Sequence, residues 1–273
     1  MKTTPITPNE KVDGHIHLFD PNGTIIPANR KCVCFADVNL NKLAEYKPNE
    51  ILGQYEEFIK TQYDPNKHIL LATAAKVDEI IRIKETFPNE IRGFGEIKCY
   101  DHTKKKKVDL DDLSYIYPLI IYNNLYHREP LYIHFEVTDE EHCKVLARIL
   151  DISNFPIVLC HCGVPYDKKN SKLEDATIIK WIQIMQQIHP NLWCDISWSG
   201  FDYLYEHKEE LESFDKSRVI IGSDINVISE IRNHRPADDI YKKMAEMERV
   251  LGISNMDNIE RLFSVKNGSK FER

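Results

Sequence analysis

An α/β barrel of parallel strands, a (β/α)8 TIM barrel, is the fold this sequence predicts, and three observations predict it. Eight short apolar runs rich in β-branched residues recur along the chain, segments of helical period lie between most of them, and 273 residues suit one barrel of about 250. The expected strands are 11–17 ("KVDGHIH"), 32–38, 68–75, 91–100, 130–137, 156–163, 192–199 and 218–225. The expected helices cover 40–62, 77–87, 109–127, 139–151, 172–188 and 202–213, with 238–252 and 258–263 after the last strand; 18–31 is a nonhelical gap. Strands that alternate with helices imply right-handed crossovers and a parallel sheet, and eight such units close into a ring without an exposed edge. No repeat, Gly/Ser linker or low-complexity tract divides the chain, so residues 1–273 are expected to form a single domain.

Composition narrows the partners. Hydrophobic residues at 42% and charged ones at 29% are those of a chain with a large core. A net charge of -7 argues against a nucleic acid or an anionic membrane as partner, since both need a basic footprint. A small-molecule substrate fits better, with homo-oligomer formation left open. No apolar run is long enough to span a bilayer and "MKTTPITPNEKVDG" lacks the apolar centre of a signal peptide, so the expected compartment is cytoplasmic. The seven cysteines are odd in number and lie mostly in apolar runs, which reads as reduced thiols; Cys162, beside His161, is the exception to watch.

The stretch "KVDGHIHLFD" carries the first chemical signal. In a strand, side chains two residues apart share a face, so His15 and His17 point the same way with Cα atoms roughly 6–7 Å apart, and one cation fits between them. Ligand-type residues recur at the ends of other apolar strands: His134 in "YIHFE", His161 in "VLCHCG" and Asp224 in "IIGSDI". Unpaired polar groups in an apolar site are unfavourable, so their convergence at one mouth asks for a shared divalent cation. Three histidines and a carboxylate suit Zn²⁺ best, with other metals that take nitrogen and oxygen ligands as alternatives.

With HxH on the first strand, histidines on the fifth and sixth, "DIS" on the seventh and "GSD" on the eighth, the chain resembles the metal-dependent amidohydrolase superfamily. It is most similar to the amidohydrolase-2 branch, which includes aminocarboxymuconate-semialdehyde decarboxylases and lactonases. The resemblance runs from Val12 to the "NIERLF" segment. It implies a distorted barrel whose metal is held by His15, His17, His134 and Asp224, with His161 beside the open position as acid, base or substrate contact. It also implies that Glu96, in "GFGEIKCY", is a metal ligand or a substrate contact in a centre of one or two ions, though an ion pair with Lys98 is the plainer alternative for that glutamate. The short 18–31 segment and the "DIN" after the eighth strand leave the substrate open.

The expected activity is hydrolysis of an amide, lactone or ester in a small molecule by a metal-activated water. Asp224 takes the water proton and His161 steadies the oxyanion or orients the scissile bond. Decarboxylation of an unsaturated or aromatic acid is the alternative, and a noncatalytic metal-binding scaffold a third reading. Lys98 and Trp198 are candidate substrate contacts, Arg30, Lys104 to Lys107, Arg232 and Arg235 candidate anion clamps. Asp195, Ser197 and Asp13 are expected to hold the far ring nitrogens of ligand histidines. A cysteine nucleophile at Cys162 with His161 lacks an orienting third residue.

Overall fold

The structure is a computed structural model that describes residues 12–17, 31–35, 49–74, 76–99, 116–165, 172–226 and 237–264. Strand β1 (Val12–His17) is followed by β2 (Lys31–Phe35), helix α1 (Glu50–Thr61), β3 (His68–Ala72), α2 (Val77–Thr86) and β4 (Ile91–Lys98). Then come α3 (Ile116–Tyr126), β5 (Leu131–His134), α4 (Glu140–Ile152), β6 (Ile157–Leu159), α5 (Asp175–Ile188), β7 (Leu192–Ile196) and α6 (Trp198–Glu206). The chain continues through β8 (Val219–Ile221), a two-residue strand β9 (Ile225–Asn226), α7 (Ala237–Leu251) and α8 (Asn255–Ser264).

All pairings are parallel and the sheet runs β8-β7-β6-β5-β4-β3-β2-β1-β9. Strand β9 resumes the path of β8 after a three-residue break and pairs with β1, so the sheet returns on itself as a (β/α)8 barrel. Side-chain alternation sorts the core into two layers. On β2, Cys32 and Cys34 face the helices while Val33 and Phe35 face the interior, where they meet Leu71, Tyr132, Val158, Trp193 and Ile220. Ile259 and Leu262 of α8 join that inner cluster. No helix among the described residues is long and apolar enough to cross a membrane.

A side-chain amide also bridges the seam between β1 and β8. Asn255 is fully buried; its Oδ1 accepts from Ile221 N at 2.9 Å, and its Nδ2 donates to Ile221 O at 2.7 Å and Val12 O at 3.1 Å. Removing it strands these backbone groups without a partner, at about 1–3 kcal/mol each for any that stay buried. Asn255→Ala is therefore expected to lower unfolding free energy by about 3 kcal/mol in urea titration. A loss under about 0.5 kcal/mol would mean the seam is held elsewhere.

Most strands are shorter than the sequence suggests, 68–75 ending at Ala72 and 130–137 at His134, and three of them break into turns with left-handed residues. The apolar run 156–163 is strand only to Leu159, after which Cys160–Gly163 turns with His161 and Cys162 at φ 57° and 52°. The run 192–199 ends at Ile196 and α6 begins at Trp198, four residues before the expected helix start, with Trp198 at φ 40°. The run 218–225 breaks after Ile221, and Asp224 sits at φ 51°. Hydrophobic pattern marks where backbone is buried and says nothing of the sign of φ, so these turns carry no local signal. Left-handed backbone at such residues costs of order 1–3 kcal/mol and is concentrated at functional sites. Here it falls at the strand ends that carry the predicted ligands.

Candidate metal centre

The turns at the ends of β6 and β8, with the straight end of β1, bring side chains from distant parts of the chain to one mouth. His15 is fully buried and His17 nearly so. Their Nε2 atoms lie 3.4 Å apart, and Asp224 Oδ1 stands 3.1 Å from the first and 3.0 Å from the second. The backbone N–H of Asp224 donates to His15 O at 2.9 Å, which fixes the carboxylate over β1. His15, His17 and Asp224 form one group able to hold a metal ion, and His15, Glu96 and His161 form a second.

Glu96 joins the two halves of the mouth. Its Oε2 lies 3.6 Å from His17 Nε2, while its Oε1 accepts from His134 Nδ1 at 2.6 Å and lies 3.4 Å from His161 Nε2. The sequence left Glu96 between a metal contact and an ion pair with Lys98; the structure surrounds its carboxylate with three histidines. Lys98 sits in register with His134 at the end of β4. His134 lies beyond both ligand groups, with its second nitrogen 3.8 Å from Glu136 Oε1.

A hydrogen-bonded chain behind the mouth assigns the histidine tautomers. His15 Nδ1 donates to Asp195 Oδ2 at 2.5 Å, so Nε2 is the nitrogen that gives up its proton and turns a lone pair to a metal between Asp224 and His17. Ser197 donates its only proton to the same Asp195 oxygen at 2.8 Å, so it accepts from His161 Nδ1 at 2.8 Å. His161 Nε2 is then a lone pair as well, aimed at the Glu96 carboxylate. Asp195 and Ser197 thus do what the sequence reading expected of them. Asp13 does not: it accepts the backbone N–H of His15 at 3.1 Å and of Ser223 at 2.9 Å, because the register shifts between Asp13 and Ile16.

The charges follow from this crowding. Burial disfavours a charged His15 ring, yet Asp195 and Asp224 raise its pKa well above the usual histidine value. Burial alone would raise Glu96, but the charge and the hydrogen bond of His134 hold it well below the ordinary carboxylate range. Asp224 is likewise buried, and His15 and His161 hold it far below that range. His134 is raised despite burial, chiefly by Glu96 with help from Glu136.

With Nδ1 of His15 and of His161 donating on the far side, their Nε2 atoms face carboxylate oxygens at 3.1 and 3.4 Å, acceptor against acceptor unless a proton or a cation lies between them. The donor set of neutral nitrogen and carboxylate oxygen is that of Zn²⁺ or a similar divalent ion, so the residues present fit a metal. Cys162 does not supply a rival nucleophile. Its thiol is fully buried, donates to Asp195 O, and is pushed well above the ordinary thiol range by its neighbour Cys194 and by burial. All seven cysteines are free thiols.

No protein-family model matches the chain, and no curated protein matches it in sequence. Solved structures do match. A ligand-free protein from Agrobacterium tumefaciens superposes with a TM-score of 0.55 at 13% identity, over 96% of this chain and 98% of that one. The chain shares its barrel fold. The 5-carboxyvanillate decarboxylase of Novosphingobium aromaticivorans, solved with manganese and a nitrobenzoic acid, scores 0.51 at 14% identity, over 86% of this chain and 76% of that one. The β-aspartyl dipeptidase of Fervidobacterium islandicum, solved with a β-Asp-Leu dipeptide, scores 0.50 at 13% identity, over 96% and 77%. Identities this low carry the barrel and leave the chemistry to the residues.

Two neighbours of the centre escaped the sequence reading. Glu136 lies two residues past His134, a spacing that could have marked it. Cys160 is buried against His15 and Asp195, but as one thiol in an apolar run it gave no signal. Trp198 opens α6 directly after Ser197 and is half-buried. Arg30, Lys104 to Lys107, Arg232 and Arg235 lie outside the described residues.

Proposed function

We propose that this protein is a metal-dependent hydrolase of the amidohydrolase-2 type that cleaves an amide, lactone or ester bond in a small molecule. The observation that carries the reading is the convergence of acceptor atoms from β1, β4, β6 and β8 on one mouth. His15, His17, Asp224 and Glu96 would hold the cation, Zn²⁺ by the donor set. His161, with its lone pair turned to the same space, joins them if a second ion is present, since the two Glu96 oxygens face the two histidine groups. When bound, the ion supplies a Lewis acid that polarises the substrate carbonyl and acidifies water.

The chain's own groups do the rest. Asp224 accepts a proton from the attacking water and returns it to the leaving group as the carbon–heteroatom bond breaks. Asp195 and Ser197 keep His15 and His161 in the tautomers that face the mouth. His134, wedged between Glu96 and Glu136, keeps a proton above the usual histidine range and can donate it to developing negative charge. That protonated ring also supports the second reading, a decarboxylase, in which His134 delivers a proton to the carbon that loses CO2; one structurally similar protein is a decarboxylase.

The discriminating experiment is a screen of lactones, amides, esters and unsaturated or aromatic acids, with metal-stripped and zinc-restored protein side by side. Metal-dependent release of acid from the first three supports hydrolysis, and CO2 release from the acids supports the alternative. Turnover that is indifferent to metal removal would refute both.

Proton competition gives a further expectation. Because the His15 pKa is raised in the metal-free chain, its proton must leave for a metal to bind at any pH below that raised value. Below it metal affinity is expected to rise about tenfold per pH unit, and above it to level off, as read by titration with a zinc-sensitive dye. An affinity flat with pH would place the ion away from His15.

A further inference from the structure

Behind the mouth, Asp195 uses one carboxylate oxygen twice and the other not at all. Its Oδ2 takes the protons of His15 Nδ1 and Ser197 Oγ, while its Oδ1 is buried and has no hydrogen-bond partner among the described residues. The hydroxyl of Tyr132 is buried without a partner as well. Both side chains are wholly shut off from solvent, at 0% exposure. A donor or acceptor buried without a partner is unfavourable, and folded interiors pair the large majority of such atoms.

Strand register brings the donor and the acceptor into one compartment of the barrel interior. Tyr132 on β5 pairs with Val158 on β6, and Val158 pairs with Trp193 on β7, two residues short of Asp195 on the same inward face. Cys160, two residues beyond Val158, fills the step between them, with its Sγ within 4.8 Å of Asp195 and His15 ligand atoms. The Phe35 ring touches both ends of this compartment, its centroid 5.1 Å from that of Tyr132 and 4.7 Å from that of His15. Burial, and after it the Asp195 carboxylate, push the Tyr132 phenol well above its ordinary range, so it keeps its proton. The two groups face one another without a direct bond, which is the setting in which a water bridges.

We infer that the barrel interior beneath His15 is a binding site for one water, which accepts the Tyr132 O–H and donates to Asp195 Oδ1. The pair of atoms selects the occupant. An anion cannot donate to a carboxylate, a metal cation cannot accept the phenol proton, and an apolar molecule can do neither. Water does both, and Cys160 Sγ stands by as a third neighbour, within the about two to four polar partners of an internal water. Asp195 is then anchored through both oxygens, Oδ1 by the water and Oδ2 by Ser197, and it is this carboxylate that orients the His15 ring. Tyr132 thereby becomes a positioning residue for the metal centre. That role rests on the metal-dependent reading proposed above; the water site does not.

Two measurements test this. A crystal structure of the metal-free full chain, at a resolution that shows ordered water, is expected to place one within about 3.2 Å of both Tyr132 Oη and Asp195 Oδ1. A direct bond between those two atoms, or no water touching both, overturns the inference. Tyr132→Phe, which removes only the hydroxyl, is expected to lower the urea midpoint and to weaken zinc binding about tenfold in dye titration, the loss that follows when a ligand's supporting partner is disturbed. An unchanged or higher midpoint is the result for a hydroxyl that has no partner, and it overturns the water site. A lower midpoint with unchanged zinc affinity keeps the water and overturns the positioning role. A wild type that holds the water but binds no zinc would refute the metal reading, and the positioning role with it, while leaving the water site established.

Discussion

Asp224→Asn is expected to leave the barrel folded and to lower turnover by about 10²–10⁴-fold, the range that removal of a general base produces. The fold should survive because asparagine tolerates the left-handed backbone at φ 51° and keeps the N–H that donates to His15 O. The chemistry should not. An amide cannot accept the water proton, and it offers a neutral oxygen where His15 Nε2 and His17 Nε2 now face a carboxylate at 3.1 and 3.0 Å. Steady-state kinetics on the first substrate found in the screen, together with zinc affinity, separate the two losses. Weaker binding with normal turnover at saturating zinc would show a ligand that is not the base, and undiminished turnover and affinity together would remove Asp224 from the centre.

Gly222→Ala is expected to damage stability and the metal centre together. A Cβ added there would press on His15 Cβ and stand 2.8 Å from His15 N and 3.0 Å from its Cα, with no flexible side-chain end to yield. Gly14 mirrors it across the seam, where a Cβ would press on Ile220 and stand 2.8 Å from Ile221 O. Overpacking a closed core costs about 1–3 kcal/mol and occasionally more, and here the displaced residue is one of the proposed ligands. Gly222→Ala should therefore lose about 3 kcal/mol in thermal or urea unfolding and weaken zinc binding by at least about tenfold. A variant with wild-type stability would show that the β1–β8 approach is looser than described.

The barrel was legible in the sequence because its strands are fully buried and read as continuous apolar runs at barrel spacing, a signal that survives without any relative to align. The ligand-type residues were legible for a related reason: a histidine or aspartate at the end of such a run stands out against Val and Ile. What spacing could not convey was which face each residue takes once the strand has turned. His134 and His161 look alike as letters, but β5 ends straight, while the chain after β6 turns through two left-handed residues and swings His161 beneath Glu96. Asp13 shares parity with His15, yet the shift inside β1 sends its carboxylate to backbone N–H groups. Asn255 looked like an ordinary helix residue, since its three backbone partners come from strands at the two ends of the chain.

The most direct test of the metal centre is an anomalous difference map at the zinc edge from crystals grown with zinc. The account predicts a peak among His15 Nε2, His17 Nε2 and Asp224 Oδ1, and where a second ion is bound, another between Glu96 and His161. A map with no peak in this mouth, or with zinc only at surface residues, would contradict it.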